Sequence, residues 1–144
     1  MREIKFRGKE LKTGKWVYGF FCIDGDGAYI INDTSEGIRG DCINVDRDTV
    51  GQYTGLDDKN DNEIFEGDIL KFGLIKDNFV EVVFGETGFN SEETFNCIGF
   101  YLTNHNEYGM GFNWLKWQQN ISWEVVGNIH DDPELLKKDK EQTT

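Results

Sequence analysis

Trp16-Val17-Tyr18-Gly19-Phe20-Phe21-Cys22-Ile23, followed by Asp24-Gly25-Asp26-Gly27 and Ala28-Tyr29-Ile30-Ile31, decides the fold class. The first run is apolar at both even and odd positions, the pattern of a strand covered on two sides, and so predicts a central strand. Asp24 to Gly27 supplies residues that tolerate positive φ, and Ala28–Ile31 can then return as the second arm of a hairpin. Trp16–Ile23 is interrupted by Gly19 and falls far short of the roughly 20 apolar residues that span a bilayer, so no membrane helix is expected.

The same period continues outward in both directions. Before the hairpin, Ile4 and Phe6 alternate with Glu3, Lys5 and Arg7, which predicts a half-exposed first strand whose charged face marks an edge or outer surface. After it, residues 32–41 are turn-forming and polar and predict an exposed loop. Short strands are expected at Cys42–Val45, Thr49–Thr54, Ile64–Phe72, Phe79–Phe84, Phe95–Leu102 and Ile121–Ile129, separated by Gly-, Asn- and Asp-rich connectors. In the last, Ile121, Trp123, Val125 and Ile129 share a face with Gly127, while Ser122, Glu124 and Asn128 face away. With 17 Gly and a single Pro, the chain reads as mainly β. A small barrel or roll is the economical architecture, because closing a curled sheet protects strand edges. Asp132-Pro133-Glu134-Leu135-Leu136 carries an N-cap acid and a Pro at the first helical position and predicts one short C-terminal helix.

The chain has 144 residues, 38% of them hydrophobic, and mean hydropathy is −0.58. That suits one domain over 1–131 with a helix and fraying tail over 132–144. Twenty-seven acids against 15 bases give a net charge of −12, which opposes condensation onto a phosphate backbone and disfavours direct nucleic-acid binding. Three scattered cysteines, Cys22, Cys42 and Cys97, exclude a fully paired disulfide framework and fit a reducing, cytoplasmic setting. The first residues offer no apolar stretch of the kind a signal peptide needs.

Places where chemistry could reside each have a simpler reading. Asp57-Asp58-Lys59-Asn60-Asp61-Asn62-Glu63 gathers oxygen ligands, but neither register places Gly and a final Glu where a calcium loop needs them, and a solvated β-turn accounts for the composition. Glu66-Gly67-Asp68 reads as a tight bend whose amides a carboxylate satisfies. His105 and His130 belong to no close ligand pair, and no phosphate-binding or nucleophile-elbow motif occurs, so neither metal nor cofactor is expected. The aromatic stretch containing Trp114 and Trp117 could form core, subunit interface or a stacking platform; Lys116 is the only base between Tyr108 and Trp123.

Taken together, Ile4-Lys5-Phe6-Arg7, Gln52-Tyr53-Thr54-Gly55-Leu56-Asp57-Asp58-Lys59-Asn60, Glu63-Ile64-Phe65-Glu66-Gly67-Asp68-Ile69 and Val125-Val126-Gly127-Asn128-Ile129 with Asp132-Pro133-Glu134-Leu135-Leu136 resemble the YopX family of phage and prophage proteins over almost the whole chain. The resemblance implies a mostly β fold with an SH3-like barrel element and no established enzymatic activity. It also implies structural roles for Gly55, Leu56, Lys59, Asn60, Glu66, Gly67 and Asp68. Two departures stand out: Gly8-Lys9 where members often carry a small residue and an aromatic, and Asn60-Asp61 where they often carry Asn-Gly. Asp tolerates left-handed backbone, so the turn is expected to survive. The functional expectation is a non-enzymatic accessory protein of the bacterial host cytoplasm that self-associates and binds a host or phage protein. Its binding surface is expected at Asp57, Asp58, Asp61, Trp114 and Trp117. Nucleic-acid or small-ligand binding through the aromatic stretch is the alternative, and an unrecognised enzyme ranks last.

Overall fold

The computed structural model describes residues 3–32, 40–72, 79–89, 95–103, 110–111 and 123–137. It is mainly β, as the alternation requires, and the chain divides into two compact units, Met1–Gly55 and Leu56–Thr144.

In the first unit, β1 (Phe6–Glu10), β2 (Trp16–Asp24), β3 (Gly27–Ile31) and β4 (Cys42–Asp57) pair in that order. β1 also pairs with β4, so the ladders form a circuit. Such a circuit is compatible with the barrel or roll expected from the sequence. Two strands turn corners to achieve it. Residues 16–19 of β2 pair with β1 and residues 20–24 with β3; residues 42–44 of β4 pair with β3 and residues 45–52 with β1. The corner in β2 falls at Gly19, where φ is +155° and a Cβ would collide with the Ile31 carbonyl oxygen, so only glycine fits. Ala28, Ile30 and Val45 form the core, with Phe6, Val17, Phe21, Ile43 and Val50 against it.

Four expectations for this unit are corrected. β1 is not an edge, because it is paired along both sides. Arg7 is not on a solvated face: it is buried, its guanidinium carbon 4.4 Å from the Trp16 ring centroid, a cation–π contact that keeps the charge partnered away from water. β2 is central in its pairing but is not covered on two sides, since Tyr18 and Phe20 are 41% and 54% exposed. The two strands expected at 42–45 and 49–54 are one continuous strand. Thr49 manages the register shift opposite Gly8: its Oγ1 accepts from the Lys9 amide at 2.8 Å and donates to the Asp46 carbonyl at 2.6 Å.

In the second unit, β5 (Glu63–Phe65) follows the turn after β4. A further sheet has the order β10-β6-β7-β8-β9, comprising β6 (Asp68–Phe72), β7 (Phe79–Phe89), β8 (Phe95–Thr103), β9 (Met110–Gly111) and β10 (Trp123–Asn128). Leu70, Val80, Val82, Phe100, Leu102 and Trp123 project from one face of these strands and enclose a core with Ile64. Burying each such side chain stabilises the unit by about 1.5–3 kcal/mol. The single strand expected over 64–72 is split by the Glu66–Gly67 turn. The C-terminal helix is a four-residue 3-10 turn, Pro133–Leu136, and Asp132 makes no side-chain capping bond to it.

Candidate functional site

Two motif-built centres in the second unit and one cleft in the first hold most of the side chains singled out by sequence. The first centre is the Asp58 turn. The Asp58 amide donates to the Asn62 carbonyl at 2.8 Å, closing the turn. Its Oδ1 accepts from the amides of Asn60 (2.8 Å) and Asn62 (2.9 Å), and its Oδ2 from Asn62 Nδ2 (3.1 Å) and the Val125 amide (2.9 Å). Burial by itself would raise the Asp58 pKa. The hydrogen bonds from Val125, Asn62 and Asn60 outweigh it and hold the carboxyl below its ordinary value. Asp61 takes φ +63°, the left-handed conformation anticipated for the Asn60-Asp61 departure. Lys59 reinforces the docking of the turn on β10, its amide donating to the Trp123 carbonyl at 3.0 Å and its Nζ lying 2.8 Å from Glu124 Oε2.

These contacts separate the expected acidic surface into two kinds of residue. Asp57 and Asp61 are exposed, whereas Asp58 is only 6% exposed and its oxygens are occupied. A cation would have to displace four N–H donors from Asp58, so its geometry serves the turn. Among the described residues, no group of three or more His, Cys, Asp or Glu is placed to hold a metal ion.

The second centre joins Gly67-Asp68 to the end of β10. Gly67 has φ +86°; its amide donates to the Val82 carbonyl at 2.8 Å and its carbonyl accepts from the Ile129 amide at 2.9 Å. Asp68, 1% exposed, accepts from the Phe65 amide at 2.8 Å, closing the bend between β5 and β6. Across the sheet, Asn128 is register partner to Asp68. Asn128 was expected to face away, but a register shift between Val125 and Gly127 turns it inward to 9% exposure. Its Oδ1 accepts from the His130 and Asp131 amides, both at 3.0 Å, and its Nδ2 donates to Asp131 Oδ2 at 3.0 Å. Asp132 Oδ2 accepts from the Asn128 amide at 3.2 Å, which explains why it does not cap the 3-10 turn. Glu66 is half-buried beside this bend. Both centres thus bring separate sequence motifs together through hydrogen bonds that fix backbone.

The cleft in the first unit has a different character. It has a volume of about 270 Å³ and is lined by Glu3, Ile4 and Lys5 ahead of β1, by Tyr18, Gly19 and Phe20 of β2, and by Asn32. Ile4 is 60% exposed, and with Tyr18 and Phe20 it leaves an apolar rim open to solvent. Sequence reasoning missed it because a two-sided apolar strand reads as buried on both faces. The signal present was Gly19 between two aromatics, where β2 changes partner and its outer face is left uncovered.

The remaining candidates resolve simply. Cys22 is half-buried and Cys42 exposed, both as free thiols. Burial, then the neighbouring Cys42 thiol and the Asp24 carboxylate, push the Cys22 thiol above its ordinary value, opposite to the shift that activates a nucleophile. Trp114, Trp117 and His105 lie outside the described residues. No helix among the described residues is long and apolar enough to cross a membrane.

The model of the YopX protein family matches residues 5–137, and the chain belongs to that family. No curated protein matches it. Among solved structures, the crystal structure of protein EF1440 from Enterococcus faecalis is similar with a TM-score of 0.52 and 21% sequence identity. The similarity covers 94% of this chain and 99% of that one, a likeness of fold.

Proposed function

We propose that this YopX-family chain is a phage- or prophage-encoded, non-enzymatic accessory module that acts in the host cytoplasm by binding a basic partner protein. The observation that carries this reading is the cleft of the first unit, where Ile4, Tyr18 and Phe20 stand exposed around about 270 Å³ of open volume on a chain of net charge −12. Large exposed apolar and aromatic side chains grouped around a depression are the usual anchors of protein contacts. Negative charge accelerates encounter with a basic partner and opposes nucleic acid. The roles of Asp58, Asp68, Asn128 and Asp132 in bracing backbone agree with a binding rather than a catalytic module.

Capture of partners from a lysogenic host lysate with tagged protein after nuclease treatment, followed by mass spectrometry, tests the reading. The expected result is a stoichiometric partner retained by the parent chain and lost from the Tyr18→Ser/Phe20→Ser variant at unchanged thermal midpoint. Equal capture by that variant would overturn it.

Self-association is a second, compatible reading, supported by the β7–β8 hairpin. Phe84 and Ile98 share the face that carries buried Val82 and Leu102, yet are 49% and 77% exposed. Light scattering at micromolar concentration is expected to exceed the 16.6 kDa of one chain; a 16.6 kDa species would refute self-association.

A further inference from the structure

The pairing of β2 indicates how the cleft would be occupied. Gly25-Asp26, with Gly25 at φ +58°, joins Asp24 to its register partner Gly27 in a two-residue turn. Such a turn makes Asp24↔Gly27 a hydrogen-bonded pair, and alternation along the ladder makes Cys22↔Tyr29 and Phe20↔Ile31 the next two. Phe21 and Ile23 therefore direct their amide and carbonyl groups away from β3, toward the side on which β1 would lie. But the β1–β2 ladder stops at Phe6↔Gly19. Just before it the chain turns to β4, the Lys5 carbonyl accepting from the Tyr53 amide at 2.8 Å. Among the described residues no strand pairs with that side of Phe21 and Ile23. The open edge thus begins where the cleft lies, and the inward-packed Phe21 ring, 5.6 Å from Phe6, holds it in place.

Resting on the protein-binding reading, we infer that the partner enters as an extended segment adding a strand to β2 at Phe21–Ile23, with apolar side chains set against Ile4, Tyr18 and Phe20. An unpaired strand edge supplies hydrogen bonds to main chain, whereas exposed side chains beside it supply selectivity. Charge complementarity fixes the segment's remaining character. Exposed Asp24 and Asp26 lie at the turn end of the edge. Glu3 Oε1, by contrast, is 4.0 Å from the Nζ of Lys5, which also lies over the Tyr53 ring at 5.9 Å, so the negative charge offered to a partner is that of Asp24 and Asp26. The fitting segment alternates apolar with basic residues.

The probe is a synthetic peptide of alternating valine and lysine, nine residues long, compared with the same peptide N-methylated at alternate positions so that one edge cannot pair. Amide hydrogen exchange and chemical shifts of the full chain are followed by NMR. The expected result is slowed exchange at Phe21 and Ile23, at least tenfold at saturation, with the unmodified peptide and none with the N-methylated one. Shifts at Tyr18 and Phe20 without protection of Phe21 and Ile23 would overturn strand addition while leaving the protein-binding reading intact. Equal effects of both peptides, or no effect of either, would overturn it too. Protection that grows with protein concentration in the absence of peptide would assign the edge to a second copy and overturn the peptide inference.

Discussion

Asp58 Oδ2 accepts a hydrogen bond from the Val125 amide at 2.9 Å across a sequence separation of 67 residues. The same carboxylate organises its own turn through Asn60 and Asn62. One side chain thus shapes a local turn and docks it on a distant strand.

Asp58→Asn is expected to lower stability by about 2–3 kcal/mol, because the amide retains one acceptor oxygen and sets an NH2 group against amide donors. Urea unfolding measures it. The wild-type contribution has a defined pH sense. The folded-state pKa is depressed, so the stabilisation is complete above the unfolded value of about 3.9 and is lost as pH falls through the lower folded value. Asp58→Asn is expected to show less acid sensitivity across that interval; an identical pH profile would contradict the assignment.

Asp61→Gly is expected to stabilise the protein by about 0.5–1 kcal/mol, since φ is +63° there and glycine adopts that conformation without a Cβ penalty. Asp61→Val should destabilise by a similar or larger amount. Thermal unfolding of the pair gives both signs.

Gly127 and Asp132 are expected to be coupled. A Cβ on residue 127 would lie 2.5 Å from Asp132 Oδ2 and 2.9 Å from Asp132 Cβ. Gly127→Ala should therefore cost about 2 kcal/mol in the parent and markedly less in an Asp132→Gly background, where the carboxylate and the Cβ that it would meet are both absent. Additive costs in a double-mutant cycle would show that the two residues act independently.

Gly19→Ala is expected to be the most damaging of these changes, costing more than about 3 kcal/mol, because both the φ of +155° and the Ile31 carbonyl exclude a side chain. Circular dichroism and solubility provide the readout. A soluble variant with the parent's unfolding midpoint would show that the β2 corner relaxes freely.

Local features were the ones legible in sequence. The Asp24–Gly27 hairpin depends on four consecutive residues, and the Asx character of the 57–63 turn on side-chain bonds spanning at most four, so composition alone pointed to both. Arg7, Asp58 and Asn128 were misplaced for a common reason. Each is charged or strongly polar and would be solvated on its own element, but a distant partner encloses it: Trp16 for Arg7, β10 for Asp58, the Gly67–Asp68 bend for Asn128. A period-two pattern cannot reveal a register shift such as that between Val125 and Gly127, which turns one residue from outer face to inner. The cleft was hidden in the same way, since which face of β2 stays uncovered depends on where its pairing changes from β1 to β3.

The circuit of ladders in the first unit also has a kinetic side. β1 carries Phe6 opposite both Gly19 and Gln52. The first of these pairings is formed across a short loop; the second must wait for most of the unit's chain to be collected. Such a high-contact-order step comes late and slowly. Until it occurs, β4 presents an open edge of main-chain groups able to template pairing with other chains. Aggregation during refolding should thus be governed by the arrival of five residues near the amino terminus.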